Sequence, residues 1–189
     1  MWTNVRVVMG VSASIAINLL PDLITALREK TALVDVILTS SACKMASPLY
    51  IASLTGRRVY TDEFSADAGW EVPHITLVKD AALFLAAPAT ANLVGKLAHG
   101  LADNLVTTAF LACRAPRIIC PAMHPDMWQD PILQDNVRHL RQKGMIVVDP
   151  VFGRCVSGDE GVGAMAPPED ILQAVEGALG FASARETNE

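Results

Sequence analysis

The sequence predicts a doubly wound α/β domain, an open parallel sheet sandwiched between two layers of helices. Three observations carry the prediction. Short runs rich in β-branched residues recur at Val5–Met9, Val34–Leu38, Ala82–Ala86, Arg117–Cys120 and Met145–Val148, and they read as strands. Longer amphipathic segments separate them, the alternation that parallel strands with helical crossovers produce. Of the 189 residues, 51% are hydrophobic and 19% charged, enough apolar surface to bury a sizeable core in one globular unit.

The elements follow in order. Val5–Met9 leaves through Gly10-Val11-Ser12-Ala13-Ser14 into a helix over Ser14–Glu29, and Val34–Leu38 leaves through Thr39-Ser40-Ser41. Ala82–Ala86 runs into Pro88-Ala89-Thr90-Ala91-Asn92, followed by helices over Leu93–Leu101 and Asn104–Cys113. Arg117–Cys120 opens into Pro121-Ala122-Met123-His124, and a helix over Leu133–Lys143 stops at Gly144. Met145–Val148 precedes a last helix over Pro168–Leu179. The loop from Tyr60 to Pro73 and the tail 181–189 are the least structured stretches, which makes residues 1–180 one domain.

Composition excludes several function classes. A net charge of -5 without a Lys/Arg cluster interleaved with aromatics argues against nucleic-acid binding. Cys43, Cys113, Cys120 and Cys155 are widely spaced with no Cys-x-x-Cys pair, which predicts no metal site and suits a reducing cytoplasm. No secretion signal is evident, and the most apolar stretch, Ala81–Val94, is broken by Pro88, Thr90 and Asn92, so no membrane span is expected. The low charged fraction predicts a homo-oligomer.

In open parallel sheets ligands bind beyond the carboxyl ends of the strands. Ser12, Ala13 and Ser14 form a small-residue loop suited to a phosphate at a helix N-terminus. A plain β-to-α turn with a serine cap reads the same way, and so does a capping role for Thr39, Ser40 and Ser41. The Gly-x-Gly-x-x-Gly spacing and a Gly-Lys-Ser/Thr run are both absent, against a dinucleotide or P-loop nucleotide site. His74, in Pro73-His74-Ile75-Thr76-Leu77, is by default a packed or capping imidazole.

Three segments carry a resemblance. Pro88-Ala89-Thr90-Ala91-Asn92 with the following Gly95-Lys96-Leu97-Ala98 and Gly100-Leu101-Ala102-Asp103-Asn104-Leu105, then Pro121-Ala122-Met123-His124-Pro125-Asp126-Met127-Trp128, then Gly158 to Pro167, resemble the signatures of the homo-oligomeric flavin-containing cysteine decarboxylases. That family has a Rossmann/flavodoxin-like fold and includes the peptidyl-cysteine and phosphopantothenoylcysteine decarboxylases. The resemblance implies FMN as cofactor, with FAD the other flavin the sequence admits. It places Ser12, Ala13, Ser14, Thr39 and Ser41 on the flavin phosphate and ribityl chain, and Thr90, Ala91, Asn92, Asp103 and Ala122 near the ring or its chain.

It also implies that His74, in a His-Ile-x-Leu context, is the catalytic base for the substrate thiol, a task apt for imidazole near neutral pH. His124 stands where the family has an Asn for the substrate carboxylate, and with Met123, Arg154 and Ser157 it forms the implied substrate site. The bland alternative for His124 is a loop imidazole holding a structural hydrogen bond. The implied chemistry is oxidation of the cysteine side chain by the flavin and loss of CO₂, leaving an enethiol. The coenzyme A branch then reduces the enethiol through a Cys of its clamp loop, and this chain has Ser157 there, which supplies no thiol. The resemblance is therefore nearest to the enzymes that act on the C-terminal Cys of ribosomally made precursor peptides, on the way to lanthipeptides, linaridins and thioamitides. Trimers and dodecamers are the assemblies it implies. A phosphopantothenoylcysteine decarboxylase and a flavin-binding regulatory subunit without activity are the alternatives.

Overall fold

The computed structural model describes residue 2 and residues 5–30, 33–64 and 72–180. Six parallel strands make its main sheet: β1 (Arg6–Val11), β2 (Leu33–Leu38), β3 (Val59–Tyr60), β4 (Leu83–Ala89), β5 (Arg117–Pro121) and β6 (Ile146–Val147), in spatial order β3-β2-β1-β4-β5-β6. Each of the five expected runs overlaps a strand, and β1, β4 and β5 run on to Val11, Ala89 and Pro121, into the expected exits. β3 is an addition of two residues at the sheet edge, paired with Val36 and Ile37. It begins just before the stretch expected to be a loop, and a run this short has no periodicity to read.

Alternate side chains of a doubly covered strand enter opposite cores. Val7, Met9 and Leu85 enter one, which α1 (Leu20–Glu29), α2 (Pro48–Thr55) and α8 (Pro168–Ala178) close with Leu23, Leu27, Ile51, Ile171 and Val175. Val8, Phe84, Ala86 and Ile119 enter the other, under α4 (Ala91–Ala98), α5 (Leu105–Ala112) and α7 (Pro131–Gln142). The result is the three-layer doubly wound fold that the sequence predicts.

The expected helix over Ser14–Glu29 divides into a 3₁₀ turn, Ile15–Leu19, and α1. Pro21 accounts for the break. It has no N–H for the Ile17 carbonyl and its ring crowds that position, so it is accommodated only in the first turn of a new helix. Gly10 has a packing role, since a Cβ there would lie 2.7 Å from Val106 Cγ1 and 3.0 Å from the Phe84 ring. Its smallness lets α5 close over β1.

Two features position the site. β1 lies between β2 and β4, where the strand order reverses, and loops leaving such neighbours part to open a crevice at the carboxyl ends. Beyond β5 come α6 (Pro125–Gln129) and an antiparallel hairpin of β7 (Val151–Arg154) and β8 (Glu160–Ala164), which stands outside the main sheet. The hairpin is docked by glycines. The Met123 N–H donates to the Gly163 carbonyl at 2.9 Å, and a Cβ on Gly163 would sit 2.4 Å from the Met123 carbonyl oxygen. Among the described residues no helix is long and apolar enough to cross a membrane. The tail 181–189 and residues 65–71 of the expected loop lie outside the described residues.

Candidate active site

The exits of four strands meet around one hollow of about 500 Å³. β1 contributes Ser12, Ala13 and Ser14; β2 contributes Thr39, Ser40 and Ser41; the start of α4 contributes Thr90, Ala91 and Asn92; and β5 contributes Ala122 and Met123. The hollow falls within the size range of small-molecule and cofactor sites. It gathers every residue that the resemblance assigns to the flavin except Asp103.

The hydroxyls fit an anionic group. Ser14 Oγ accepts the Ala16 N–H at 3.3 Å, Thr39 Oγ1 accepts that of Ala42 at 3.2 Å, and Thr90 Oγ1 accepts that of Leu93 at 3.3 Å. A hydroxyl that accepts through a lone pair keeps its own proton to donate. Capping and ligand binding therefore coexist in these three residues, beside the positive end of α4. Ser12 differs. Its hydroxyl donates to the Pro88 carbonyl at 2.8 Å and accepts the Thr90 N–H at 2.9 Å, so it braces the β1 exit against the β4 exit. The alanines Ala13, Ala91 and Ala122 leave room for the ligand body.

Lys96, Asn104 and Met127 also line this hollow, and no role was assigned to them from the sequence. All three stand inside the quoted signature runs, so the signal was present. The Lys96 ammonium lies 2.5 Å from Asp103 Oδ2, and this partner holds the Asp103 carboxyl below its ordinary range. Asp103 itself lines a neighbouring hollow of about 320 Å³ with Asp62 and Glu63, which shares Thr39, Ser40 and Asn104 with the first. Three carboxylates there oppose a phosphate.

A further hollow of about 420 Å³ adjoins the first through Ser14, Ala122 and Met123. It collects all four substrate candidates, Met123, His124, Arg154 and Ser157, together with Cys155, Ile15, Leu19 and Met165. Both imidazole nitrogens of His124 are engaged. Nδ1 accepts the Asp126 N–H at 3.3 Å, and Nε2 lies 3.0 Å from Asp159 Oδ2, to which Ser157 Oγ also donates at 2.7 Å. The His124 and Ser157 contacts hold the Asp159 carboxyl below its ordinary range. Asp159 thus latches the hairpin turn to the N-terminus of α6, a link that no spacing rule in the sequence indicates.

His74 lines neither the first hollow nor the one beside it. It stands on α3 (Pro73–Thr76), a short helix packed against α5, with its Nδ1 2.6 Å from Glu63 Oε1. The approach is out of line for a hydrogen bond, and Nδ1 is sealed from water. Burial pushes the thiols of Cys113 and Cys120 up, away from reactive thiolate character. Among the described residues no cluster of His, Cys, Asp and Glu suits a metal ion.

Comparison with known proteins matches residues 1–180 to the family model described as Flavoprotein. The chain is 39% identical over 176 residues to the coenzyme A biosynthesis bifunctional protein CoaBC of Bacillus subtilis, covering 93% of this chain and 43% of that protein. It therefore spans less than half the length of that relative. Among solved structures, the FMN-dependent cysteine decarboxylase SpaF is 30% identical with a TM-score of 0.80, covering 93% of this chain and 95% of that one. A PPC decarboxylase mutant complexed with pantothenoylaminoethenethiol is also 30% identical, with a TM-score of 0.81 and coverage of 92% and 97%. The relatives thus divide between the coenzyme A branch and the cysteine decarboxylases.

Proposed function

Because the chain belongs to the Flavoprotein family, we propose that it is an FMN-dependent decarboxylase acting oxidatively on the cysteine at the C-terminus of a peptide. The observation that carries this reading is the pair of adjoining hollows. One is lined by the hydroxyls and small residues a flavin phosphate and chain need, the other by the side chains a cysteine carboxylate needs, and Ser14, Ala122 and Met123 form their common wall.

FMN, when bound, supplies the electron sink that cysteine lacks, taking two electrons from its side chain so that CO₂ can leave an enethiol. Ser14, Thr39 and Thr90 donate their free hydroxyl protons to the cofactor's anionic end, assisted by Ser41, while Ala13, Ala91, Asn92 and Ala122 admit its body. Asp103 acts at a distance, by holding Lys96. In the substrate hollow the carboxylate of the peptide takes the place of Asp159 on His124, and Arg154, which has no ion-pair partner among the described residues, supplies a second positive group. Met123 and the hairpin exclude water around the reacting side chain. His74 takes the thiol proton.

His74 lines neither of the two hollows of its own chain, and this reading takes the base from a second copy. Exposed Phe64, Val72 and Ile75 near His74 in the chain, and exposed Ile15, Met45 and Leu49, give each copy apolar surface to cover. A homo-oligomer that places the His74 of one copy at the hollows of the next completes the site.

The peptide reading rests on Ser157, which puts a hydroxyl where the coenzyme A branch has its reducing thiol. Cys155 favours a second reading: it lines the same hollow and is half-buried. A thiol there would supply the proton as the two electrons taken by the flavin return to the enethiol, as a phosphopantothenoylcysteine decarboxylase requires, and CoaBC of Bacillus subtilis bears that branch's name. Mass spectrometry separates the two. A peptide ending in Cys that loses about 46 Da, CO₂ plus two hydrogens, supports the first reading, whereas activity on phosphopantothenoylcysteine alone with a loss of about 44 Da establishes the second.

A further inference from the structure

His74 has a feature that its proposed role as base does not use. Its Nδ1 is sealed from water, and the one charged atom that reaches it among the described residues is Glu63 Oε1, 2.6 Å away. The two side chains are 26% and 19% exposed, so the pair is largely shielded. Buried polar nitrogens are almost always paired, and a small rotation of either side chain brings an Nδ1–H into line with the carboxylate. The other tautomer would set a lone pair against a carboxylate oxygen. No described residue bonds Nε2.

We infer that Glu63 is the positioning residue of His74. Its carboxylate accepts from Nδ1–H, fixes the tautomer and turns the lone pair of Nε2 toward the substrate thiol. The inference rests on the reading of His74 as the base. In the step itself the S–H bond breaks, its proton forms the Nε2–H bond, and the electron pair stays on sulfur. The imidazolium charge so created lies against the Glu63 carboxylate. Among the described residues, the other charged groups near the pair include Asp62 beside Glu63, Asp103, which lines the same hollow as Glu63, Arg6, whose guanidinium donates to the Thr76 carbonyl at 3.5 Å, and Lys79 and Asp80 beyond the helix end. α5, packed against α3, carries none.

Two measurements on the full-length protein test this. In ¹⁵N NMR of histidine-labelled protein at about pH 8, with His74→Asn identifying the signal, the wild type and Glu63→Asp show the Nδ1–H tautomer and Glu63→Gln loses that preference. An Nε2–H tautomer in the wild type overturns the inference, whatever the enzyme does. In anaerobic single-turnover bleaching of bound flavin by a peptide ending in Cys, Glu63→Gln is slower by roughly 10- to 100-fold at about pH 7 with its KM unchanged, and Glu63→Asp recovers most of the rate. At about pH 9.5 the thiol, with a reference pKa of about 8.5, ionises unaided, and Glu63→Gln and His74→Asn both return toward wild type. A Glu63→Gln loss that persists at the higher pH marks a merely structural role and overturns the inference, as does a wild-type rate at neutral pH. His74→Asn separates the levels: if it bleaches normally the base assignment itself falls, and if only Glu63→Gln is normal the positioning role alone falls.

Discussion

Asp159, inside the third signature run, and Glu63, outside all three, each stand against one of the two imidazoles that the proposed chemistry needs. The Asp159 carboxylate sits on His124 Nε2, where the carboxylate of the substrate is proposed to bind, so the two compete. Asp159→Asn removes the competing charge while keeping the shape. The expected result is a KM for a Cys-terminal peptide lowered by roughly 2- to 5-fold, the scale of an exposed ion pair, with kcat little changed. A KM that rises instead makes Asp159 a substrate contact. At this scale the sequence was informative wherever function coincides with a strand exit. Ser14, Thr39, Thr90, Ala91 and Ala122, which the resemblance assigns to the flavin, do gather at strand exits around one hollow, although capping alone accounts for the three hydroxyls in the sequence. Asp159, 35 positions from His124, and Glu63, 11 from His74, depend on contacts that exist only after folding.

Among the elements, the hairpin is the one whose placement matters most for activity. It is held to the site through Gly163, where a Cβ would meet the Met123 carbonyl oxygen at 2.4 Å, a rigid neighbour. Gly163→Ala must displace the hairpin, and overpacking of this kind costs about 1–3 kcal/mol, which corresponds to a roughly 5- to 150-fold loss of kcat/KM with the peptide. Flavin content stays unchanged, because the flavin hollow is lined by exits of the main sheet. Loss of flavin would mean that the hairpin also supports the cofactor. Near the start of β2, Asp35 is 2% exposed and bridges Arg6 and Arg57, each at 2.6 Å. Asp35→Ala is expected to cost about 2 kcal/mol in urea unfolding, below the ~3–5 kcal/mol of a fully buried pair because both guanidiniums reach water. Five strands of the main sheet were legible as apolar runs, as were α1, α4, α5, α7 and α8 as amphipathic segments, whereas α2 and the β7–β8 hairpin were not. The 3₁₀ turn before α1, the two-residue β3 and the five-residue α6 were not, since each is shorter than the period by which such elements are recognised.

For the whole molecule, the separation of His74 from the two hollows is the decisive fact. A sequence orders residues along the chain but says nothing of which copy they serve, and the resemblance implied His74 in the site without saying whose. Ser41→Glu, on an exposed wall of the flavin hollow, sets a carboxylate against the phosphate and is expected to give colourless, folded, inactive protein. His74→Asn is expected to give yellow, inactive protein. Co-expressing the two is predicted to restore turnover, since a flavin-bearing His74→Asn copy then receives its base from a Ser41→Glu neighbour. Two variants that stay inactive together place the base within one chain.

The central claim, that this flavoprotein oxidises and decarboxylates a C-terminal cysteine, is tested most directly by mixing the yellow protein anaerobically with a peptide ending in Cys and following the oxidised flavin absorbance. The account predicts stoichiometric bleaching with release of CO₂, and none with the same peptide ending in Ser. A flavin that stays oxidised with every cysteine carboxylate offered would contradict it and leave a flavin-binding protein without this activity.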